Sequence, residues 1–396
     1  MQPINEQEHL LENIENELPV LKQKHPFGYV IDGEVYGATE AGLKKAISTF
    51  GASRIEYVWM PDSENLTRPE QTKYVFEIYK DGARRSARGN IILGSLFVIL
   101  PLVLALFAGD WTLTFKSLIG LLGVALLANG LWEFHQSRKL TRENLAKTIE
   151  DERNVIKNIS AIKTVSTPYQ TYVILGCIGV VYLVQMYAAT GKPIVYSGEI
   201  YDGISKSVFL AGQIKEFVRE GEYWRMFTAN LMHANFIHIM FNGMALWNIG
   251  RTIEQHLHNS YVALVFFISG FCGSVFSQFL SSSQASIGAS GGILGMIGFL
   301  AVGAYIYKEI FPREYFKSLL QNIGLIVIIG IVGYSVIDNY AHAGGLFCGV
   351  GLGFLLLKRK ASFPKQPSSV IEVLSLASLA GIVLTALICI FVLVRN

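Results

Sequence analysis

Charged residues are scarce in this sequence: Asp, Glu, Lys and Arg make up 16% of its 396 residues. A soluble globular domain usually has about 25%, so the composition argues against a wholly soluble protein. The deficit is uneven, because residues 1–89 and 134–168 have ordinary polarity whereas the rest consists largely of apolar runs. A helix needs roughly 20 apolar residues to cross a bilayer, and several runs reach that length. The pattern therefore predicts a polytopic membrane protein with soluble segments.

Cysteine is also scarce, and its placement argues against several kinds of site. Each of the four cysteines stands alone in an apolar segment, without a CxxC or a Cys/His spacing. The sequence therefore predicts neither a zinc site nor a disulfide framework, and it indicates no other metal and no cofactor. The net charge of +3 gives no reason to expect nucleic acid as a partner. The first fifteen residues are acidic and lack an apolar core, which argues against a secretory signal or a transit peptide.

The polar N-terminal part predicts a small cytoplasmic α+β domain over residues 1–89. Helices are expected at 4–23 and 40–50. The runs YVID, RIEYVWM and KYVFEIY are rich in the β-branched and aromatic residues that favour strands. The domain contains no chemical motif. We expect it, with the membrane hairpin that follows, to be either a docking module for a cytoplasmic regulator or a passive anchor.

The apolar runs predict nine membrane spans. Two of them form a hairpin over residues 90–133, and the charged segment 134–168 is expected to be a cytoplasmic linker. The other seven are expected at about 170–189, 236–251, 261–280, 289–307, 319–336, 340–357 and 370–394. Lys and Arg clusters follow alternate spans and mark the cytoplasmic side, so the N-terminus is expected inside and the long loop 190–235 outside. The predicted fold class is an all-α polytopic membrane protein with a small soluble α+β domain.

Two polar residues inside the last seven spans attract attention, because burying a polar group in a bilayer is costly. Ser290 lies among glycines in SIGASGGILG, at the start of the fourth of these spans, and His342 lies early in the sixth. Taken singly, each is open to a packing role. If the two meet, they form a nucleophile and its general base, which is the minimum for covalent acyl transfer.

Glycines indicate that the two spans can approach each other. Those that follow the histidine at a spacing of four form one helix face that admits a close neighbour: Gly345, Gly349 and Gly353. On the other span, Gly291 and Gly292 are expected to let the His342 helix come close to Ser290. Gly288 is expected to free the backbone just before the serine.

A second polar set lies at the entry of another span. His238 and Asn242 are four residues apart and therefore share a helix face, with His233 in the preceding loop. Their side chains can act as hydrogen-bonding links between helices. They can also donate to the oxyanion of an acyl-transfer intermediate, where each donor contributes about 10²–10³ in rate.

Residues 288–292 also match G-x-S-x-G, the nucleophile elbow of α/β-hydrolases, and Asp338 and His342 follow in the order of that triad. That motif requires a strand before the serine and a helix after it. Here the end of a span and a polar loop precede Ser290, so the elbow interpretation fails. Asp338 is better explained, with Asn339, as the cap of the helix that carries His342.

Together these motifs resemble the rhomboid family of intramembrane serine proteases, over about residues 168–358. The matching motifs are G-x-S-G at 288–291, A-H-x-G-G at 341–345, H-x4-H-x3-N at His233, His238 and Asn242, and W-R at Trp224 and Arg225. Four motifs in this order, on the expected spans, make the resemblance specific.

The resemblance implies a six-span protease core over 169–358, followed over 359–396 by a linker and one additional span. Ser290 would be the nucleophile and His342 its base, without a third acid, while His238, Asn242 and the Ser290 backbone N–H would hold the oxyanion. The supporting residues of the motifs would be His233, Trp224, Arg225, Gly288, Gly291, Gly345 and Gly349. The fifth span and the loop 335–340 would act as gate and cap. Substrates would be single-span membrane proteins in the bilayer.

Leu294 departs from the family pattern, because many members have an aromatic residue there that packs on the catalytic histidine. The N-terminal domain and its hairpin also lie outside the family core. Two other interpretations compete: a rhomboid-like pseudoenzyme, which usually lacks the serine or the histidine, and a transporter, which often has internal repeats. Both residues are present and no matching halves are visible. The cytoplasmic N-terminus favours a bacterial inner membrane as the location.

Overall fold

The computed structural model describes residues 18, 22–108, 118–161, 167–308, 310–311, 313–334, 337–357 and 366–395. The chain divides into two compact units, Met1–Ile162 and Lys163–Asn396. Three expected features lie wholly or mostly outside the described residues. They are the helix at 4–23, the basic cluster 358–360 and most of the linker that follows it.

The first unit contains a three-stranded antiparallel sheet of β1 (Phe27–Ile31), β2 (Glu34–Ala38) and β3 (Ile55–Trp59), in the order β2-β1-β3. Asp32 and Gly33 connect the first two strands with positive φ angles of 53° and 77°, as a two-residue hairpin turn requires. Helix α1 (Glu40–Phe50) confirms the expected helix, and the Thr39 hydroxyl caps it by accepting from the Gly42 N–H at 3.1 Å.

The expected strand at KYVFEIY is wrong, because these residues begin helix α2 (Lys73–Ala108). Val75, Ile78 and Tyr79 recur at the spacing of one helix face, and all three pack against the core of the sheet. Helical periodicity therefore outweighs the strand preference of the individual aromatic and β-branched residues. The third strand of the sheet is β2, which lies earlier in the chain.

The segment 134–168 also differs from the expected linker. Helix α3 (Leu118–Lys139) extends into it, and helix α4 (Arg142–Ala161) occupies most of the rest. Leu145 and Ile149 are buried in the core of the sheet. Arg153 makes a bidentate ion pair with Glu70. The side chain of Glu70 is only 8% exposed to solvent. Helix α4 is therefore part of the folded N-terminal unit.

In the second unit, each of the seven expected spans coincides with a helix. These are α5 (Tyr169–Ala189), α9 (Phe236–His256), α10 (Val262–Leu280), α11 (Ser290–Ile306), α12 (Arg313–Val332), α13 (Asn339–Leu356) and α14 (Ser369–Arg395). Helix α11 is buried along almost its whole length and packs against α10 and α13. The start of α11 is therefore held by neighbours on several sides.

Five described helices are long and apolar enough to cross a membrane by length and composition. They are Lys73–Phe107, Tyr169–Ala189, Asn259–Leu280, Tyr315–Val332 and Ser369–Arg395. The buried helix α11, Ser290–Ile306, is apolar but shorter. A central helix shielded by its neighbours does not need the full length of a lipid-facing span.

The loop 190–235 is folded. It contains the hairpin β4 (Ile194–Tyr196) and β5 (Glu199–Tyr201), then α6 (Gly203–Ala211), β6 (Gln213–Ile214), α7 (Lys215–Arg219) and α8 (Arg225–Thr228). Strand β6 pairs with β7 (Ala285–Ser286), which lies just before α11. The loop is therefore tied to the segment that leads into Ser290.

Candidate active site

Ser290 and His342 meet at the starts of two helices. Ser290 is the first residue of α11 and His342 lies in the first turn of α13. The His342 Nε2 atom is 2.8 Å from the Ser290 Oγ atom, which is hydrogen-bonding distance. The expected proximity of the two side chains is therefore confirmed, although they are 52 residues apart in the chain.

The close approach of α11 and α13 depends on glycine. A Cβ atom on Gly345 would lie 2.0 Å from the Gly291 carbonyl oxygen, and one on Gly349 would lie 1.8 Å from that of Gly295. The glycine stripe thus lets the two backbones touch. The expectation for Gly292 is wrong: a Cβ there would lie 2.8 Å from Phe266 of α10, so this glycine admits α10 and not the His342 helix.

Asp338 acts as a helix cap, as the sequence predicted. One carboxylate oxygen accepts from the Ala341 N–H at 3.1 Å, and the other accepts from the Ser277 hydroxyl of α10. His342 Nδ1 has no hydrogen-bond partner within the described ranges. Ser290 and His342 thus form a pair, and the Asp338 carboxylate is engaged in holding the N-terminus of α13.

His238 lies beside the turn that precedes the serine. A Cβ atom on Gly288 would lie 2.9 Å from the Cε1 and Nε2 atoms of His238 and 3.8 Å from Ser290 Oγ. Gly288 also has a φ of +128°, which side chains rarely adopt, so both conformation and space require glycine. The imidazole therefore faces the small space next to Ser290.

Asn242 lies one turn further along α9 and is buried. Its Nδ2 atom donates to the His238 carbonyl oxygen at 3.1 Å. One of its two amide N–H bonds is thus directed at its own helix, and the other has no partner among the described residues.

His233 is fully buried, and its ring lies edge-on against the ring of His238 with the centroids 4.9 Å apart. Its backbone is held by Gln185 of α5, which accepts from the His233 N–H at 3.1 Å and donates to its carbonyl oxygen at 2.8 Å. The sequence analysis missed Gln185. The available signal was a glutamine inside an apolar span, where each polar side chain needs a partner.

Trp224 and Arg225 organise the folded loop. Arg225 donates to the carbonyl oxygens of Phe209 and Gly212, both at 3.0 Å, and to the Glu222 carboxylate at 2.5 Å. Its guanidinium lies over the Trp224 ring, 4.7 Å from the centroid. Burial lowers the pKa of Arg225, and Glu222 opposes that shift. Trp224 and Arg225 therefore hold several parts of the loop together.

The same loop supports the backbone that leads into the serine. The Gly288 N–H donates to the Ala229 carbonyl oxygen at 2.8 Å, and the Lys215 N–H donates to that of Gln284 at 3.1 Å. The turn at Gly288 is thus fixed from the loop 190–235 as well as by its neighbouring helices. Within the described parts of the chain, no group of three or more His, Cys, Asp or Glu side chains could hold a metal ion.

Comparison with known proteins matches this part of the chain. The profile of the Rhomboid domain family matches residues 220–359, which include Ser290, His233, His238, His342 and Asn242. The chain is 33% identical over 146 residues to RHOMBOID-like protein 4 of Arabidopsis thaliana, covering 37% of each protein. It is 34% identical over 168 residues to Rhomboid protease GluP of Bacillus subtilis, covering 40% of this chain and 31% of GluP. The match thus spans well under half the length of either relative.

A smaller relative is covered more completely. The chain is 30% identical over 144 residues to the putative rhomboid protease YdcA of Bacillus subtilis, which covers 36% of this chain and 72% of YdcA. The apolar helices and these matches together indicate an integral, multi-pass membrane protein. On the domain match, the relatives and the arrangement around Ser290, the chain belongs to the rhomboid family.

Proposed function

We propose that the chain is an intramembrane serine endopeptidase that cleaves single-span membrane proteins in or near their transmembrane segment. The observation that carries the proposal is the 2.8 Å distance between His342 Nε2 and Ser290 Oγ, at the starts of two helices that glycines hold in contact. A pseudoenzyme has no need of this pair. The names of the relatives GluP and YdcA, both described as rhomboid proteases, agree with the proposal.

In the proposed reaction, Ser290 Oγ attacks the carbonyl carbon of the scissile peptide bond. His342 Nε2 accepts the hydroxyl proton and later delivers it to the leaving amine. In the second half, His342 Nε2 takes a proton from the water that attacks the acyl carbon and delivers it to Ser290 Oγ as the C–Oγ bond breaks. Nδ1 of His342 would hold the other ring proton throughout, so the pair acts as a dyad.

The oxyanion that forms during attack needs hydrogen-bond donors around the former carbonyl oxygen. The Ser290 backbone N–H lies at the N-terminus of α11, where backbone donors of a helix are free. His238 Nε2 faces the turn at Gly288, and Asn242 has a second amide N–H. We assign these three groups to the oxyanion, where each donor is worth about 10²–10³ in rate.

The substrate must unwind before cleavage, because a helix in lipid satisfies its own backbone hydrogen bonds. Helix-destabilising residues near the cut are therefore expected in substrates. Helix α12 and the loop 335–340, of which 335 and 336 lie outside the described residues, are proposed as gate and cap. This access route would admit both the unwound segment and water to Ser290.

The proposal includes a membrane orientation. Arg84, Arg85 and Arg88 precede the lipid-exposed part of α2, and Arg138 and Lys139 end α3. Because Lys and Arg accumulate on the cytoplasmic side, the N-terminal unit would be cytoplasmic and Ser290 would open to the outer face. A bacterial inner membrane is the proposed location, and a cytoplasmic regulator is a proposed partner of the N-terminal unit.

The experiment compares wild type with Ser290→Ala in proteoliposomes, on a panel of tagged single-span membrane proteins. Ser282→Ala is the matched control, because Ser282 lies eight residues earlier and its side chain is exposed. Cleavage by wild type and by Ser282→Ala, with none by Ser290→Ala, is the expected result. Cleavage that survives in Ser290→Ala would sink the assignment of the nucleophile.

A further inference from the structure

Gln185 is a buried polar side chain that hydrogen-bonds to the backbone of His233, a residue of the site. Gln185 lies in the last turn of α5 and is completely closed to solvent. Its amide group satisfies both backbone groups of His233, accepting from the N–H at 3.1 Å and donating to the carbonyl oxygen at 2.8 Å. A buried amide left without partners is costly, so the pairing is strongly favoured. Gln185 therefore fixes the position and orientation of the short segment between the end of the outer loop and α9.

This segment touches His238 at two places. The ring of His233 lies edge-on against the His238 ring, at an interplanar angle of 69°. The Ala234 N–H points at His238 Nδ1, with a long separation of 3.5 Å. Because Nδ1 accepts there, a neutral His238 has its proton on Nε2. The segment thus favours one tautomer of the imidazole.

The favoured tautomer places its N–H beside Gly288, the glycine two residues before the serine. The Nε2 atom is the one beside Gly288, close to the side of the turn that faces Ser290 Oγ. In the other tautomer an unshared electron pair on Nε2 would face a developing oxyanion and repel it. Which nitrogen has the proton therefore decides whether His238 stabilises the transition state.

We infer that Gln185 is a positioning residue that keeps His238 in its Nε2–H tautomer, by holding the His233–Ala234 backbone against the imidazole. The inference rests on the proposed function for its catalytic consequence, but the tautomer itself is a property of the resting protein. Without the two hydrogen bonds from Gln185, the His233–Ala234 backbone can move. The long contact from the Ala234 N–H to His238 Nδ1 then weakens, and both tautomers of His238 are populated. Since an oxyanion donor acts in the transition state, kcat falls while KM stays the same.

The test uses Gln185→Met, which keeps the length and volume of the side chain and removes both hydrogen bonds. The matched control is Gln170→Met on the same helix. Gln170 is equally buried, and its amide is also hydrogen-bonded: it donates to the Ser375 hydroxyl at 2.9 Å and to the Tyr169 hydroxyl at 3.3 Å, and it accepts from the Ala263 N–H at 3.0 Å. Both variants lose the hydrogen bonds of a buried amide, so both are expected to lose thermal stability. A loss of stability therefore does not distinguish a positioning role from a purely structural one.

The first readout is the ¹⁵N spectrum of histidine-labelled full-length protein in nanodiscs, with the His238 signals identified by their absence in His238→Gln. Wild type and Gln170→Met are expected to show one protonated nitrogen, Nε2. Gln185→Met is expected to show both tautomers. An unchanged single Nε2–H tautomer in Gln185→Met, or a wild type that is Nδ1–H, overturns the inference. This readout needs no catalytic activity, so it stays decisive even if the proposed protease function fails.

The second readout is turnover of a substrate identified by the Ser290→Ala comparison, at a temperature where both variants are folded. Gln185→Met is expected to lower kcat about tenfold with KM within twofold of wild type, as a partial loss of one oxyanion donor. Gln170→Met is expected to leave both within about twofold. Equal kcat losses in the two variants would mean that Gln185 acts through stability alone and would overturn its positioning role.

Discussion

Substitution of Gly349 by alanine is expected to perturb the Ser290–His342 pair without changing either residue. The new Cβ would lie 1.8 Å from the Gly295 carbonyl oxygen, and such contacts are essentially never closer than 3.0 Å. Helices α11 and α13 must therefore move apart by about 1.2 Å, or α13 must rotate, two helical turns below His342. A 2.8 Å hydrogen bond stretched by about 1 Å is no longer one, and misplacement by about 1 Å can cost 10²-fold in rate.

The assay is the rate at which a fluorophosphonate labels Ser290, measured on equal amounts of folded protein in proteoliposomes. Gly349→Ala should label about 100-fold more slowly than wild type, and overpacking should destabilise it by about 1–3 kcal/mol. The control is Gly351→Ala, on the same helix, where a Cβ would meet nothing within 4 Å. It should label within twofold of wild type. Labelling of Gly349→Ala within threefold of wild type would refute the claim that backbone contact between these helices sets the dyad.

Two further perturbations test other parts of the structure. Gly288→Ala should abolish fluorophosphonate labelling, because it strains a φ of +128° and drives a methyl group into the His238 ring; normal labelling would contradict the geometry of that turn. In the N-terminal unit, burial raises the pKa of Glu70 while hydrogen bonds from Arg153 lower it, and the net shift is downward. The ion pair therefore stabilises the unit above the unfolded pKa of about 4.3, and this contribution is lost as pH falls through the lower folded pKa. Amide-exchange protection of β3 should fall in wild type as the pH drops below the unfolded pKa and through the lower folded pKa, and Glu70→Gln should flatten that dependence; parallel profiles would contradict it.

The contact between Ser290 and His342 was predictable because it depends on glycines that recur every four residues along α13. Glycines at a spacing of four mark one helix face, and a helix face that lacks side chains needs a close neighbour. The partner of each glycine was less predictable. Gly291 and Gly292 are adjacent in sequence but point to different helices, and only the packing of α10 decides that Gly292 meets Phe266.

The N-terminal unit shows where local preference misleads. KYVFEIY has the composition of a strand, but Val75 and Tyr79 are four apart and bury one helix face on the sheet. The segment of α4 is so rich in charge that it resembled a linker, although Leu145 and Ile149 show the same spacing of four. In both segments a sparse apolar stripe decided the structure, because burial of that stripe outweighs intrinsic propensity.

Gln185 stands out in the sequence only as a polar side chain inside an apolar span, and its partners could not be predicted. Its partners are the backbone N–H and carbonyl of His233, and a backbone group has no signature in the sequence. The pairing exists only because the end of α5 reaches the irregular segment before α9. The tautomer of His238 likewise depends on a contact from the Ala234 backbone. The residues of the site could be named from motifs, whereas the contacts that orient them required the tertiary structure.

Intact-mass analysis after fluorophosphonate treatment measures whether His342 activates Ser290. We expect one adduct per wild-type chain, mapped to the peptide that contains Ser290, and a loss of at least 100-fold in the labelling rate of folded His342→Ala. Unchanged labelling of His342→Ala, or an adduct on another serine, would contradict it.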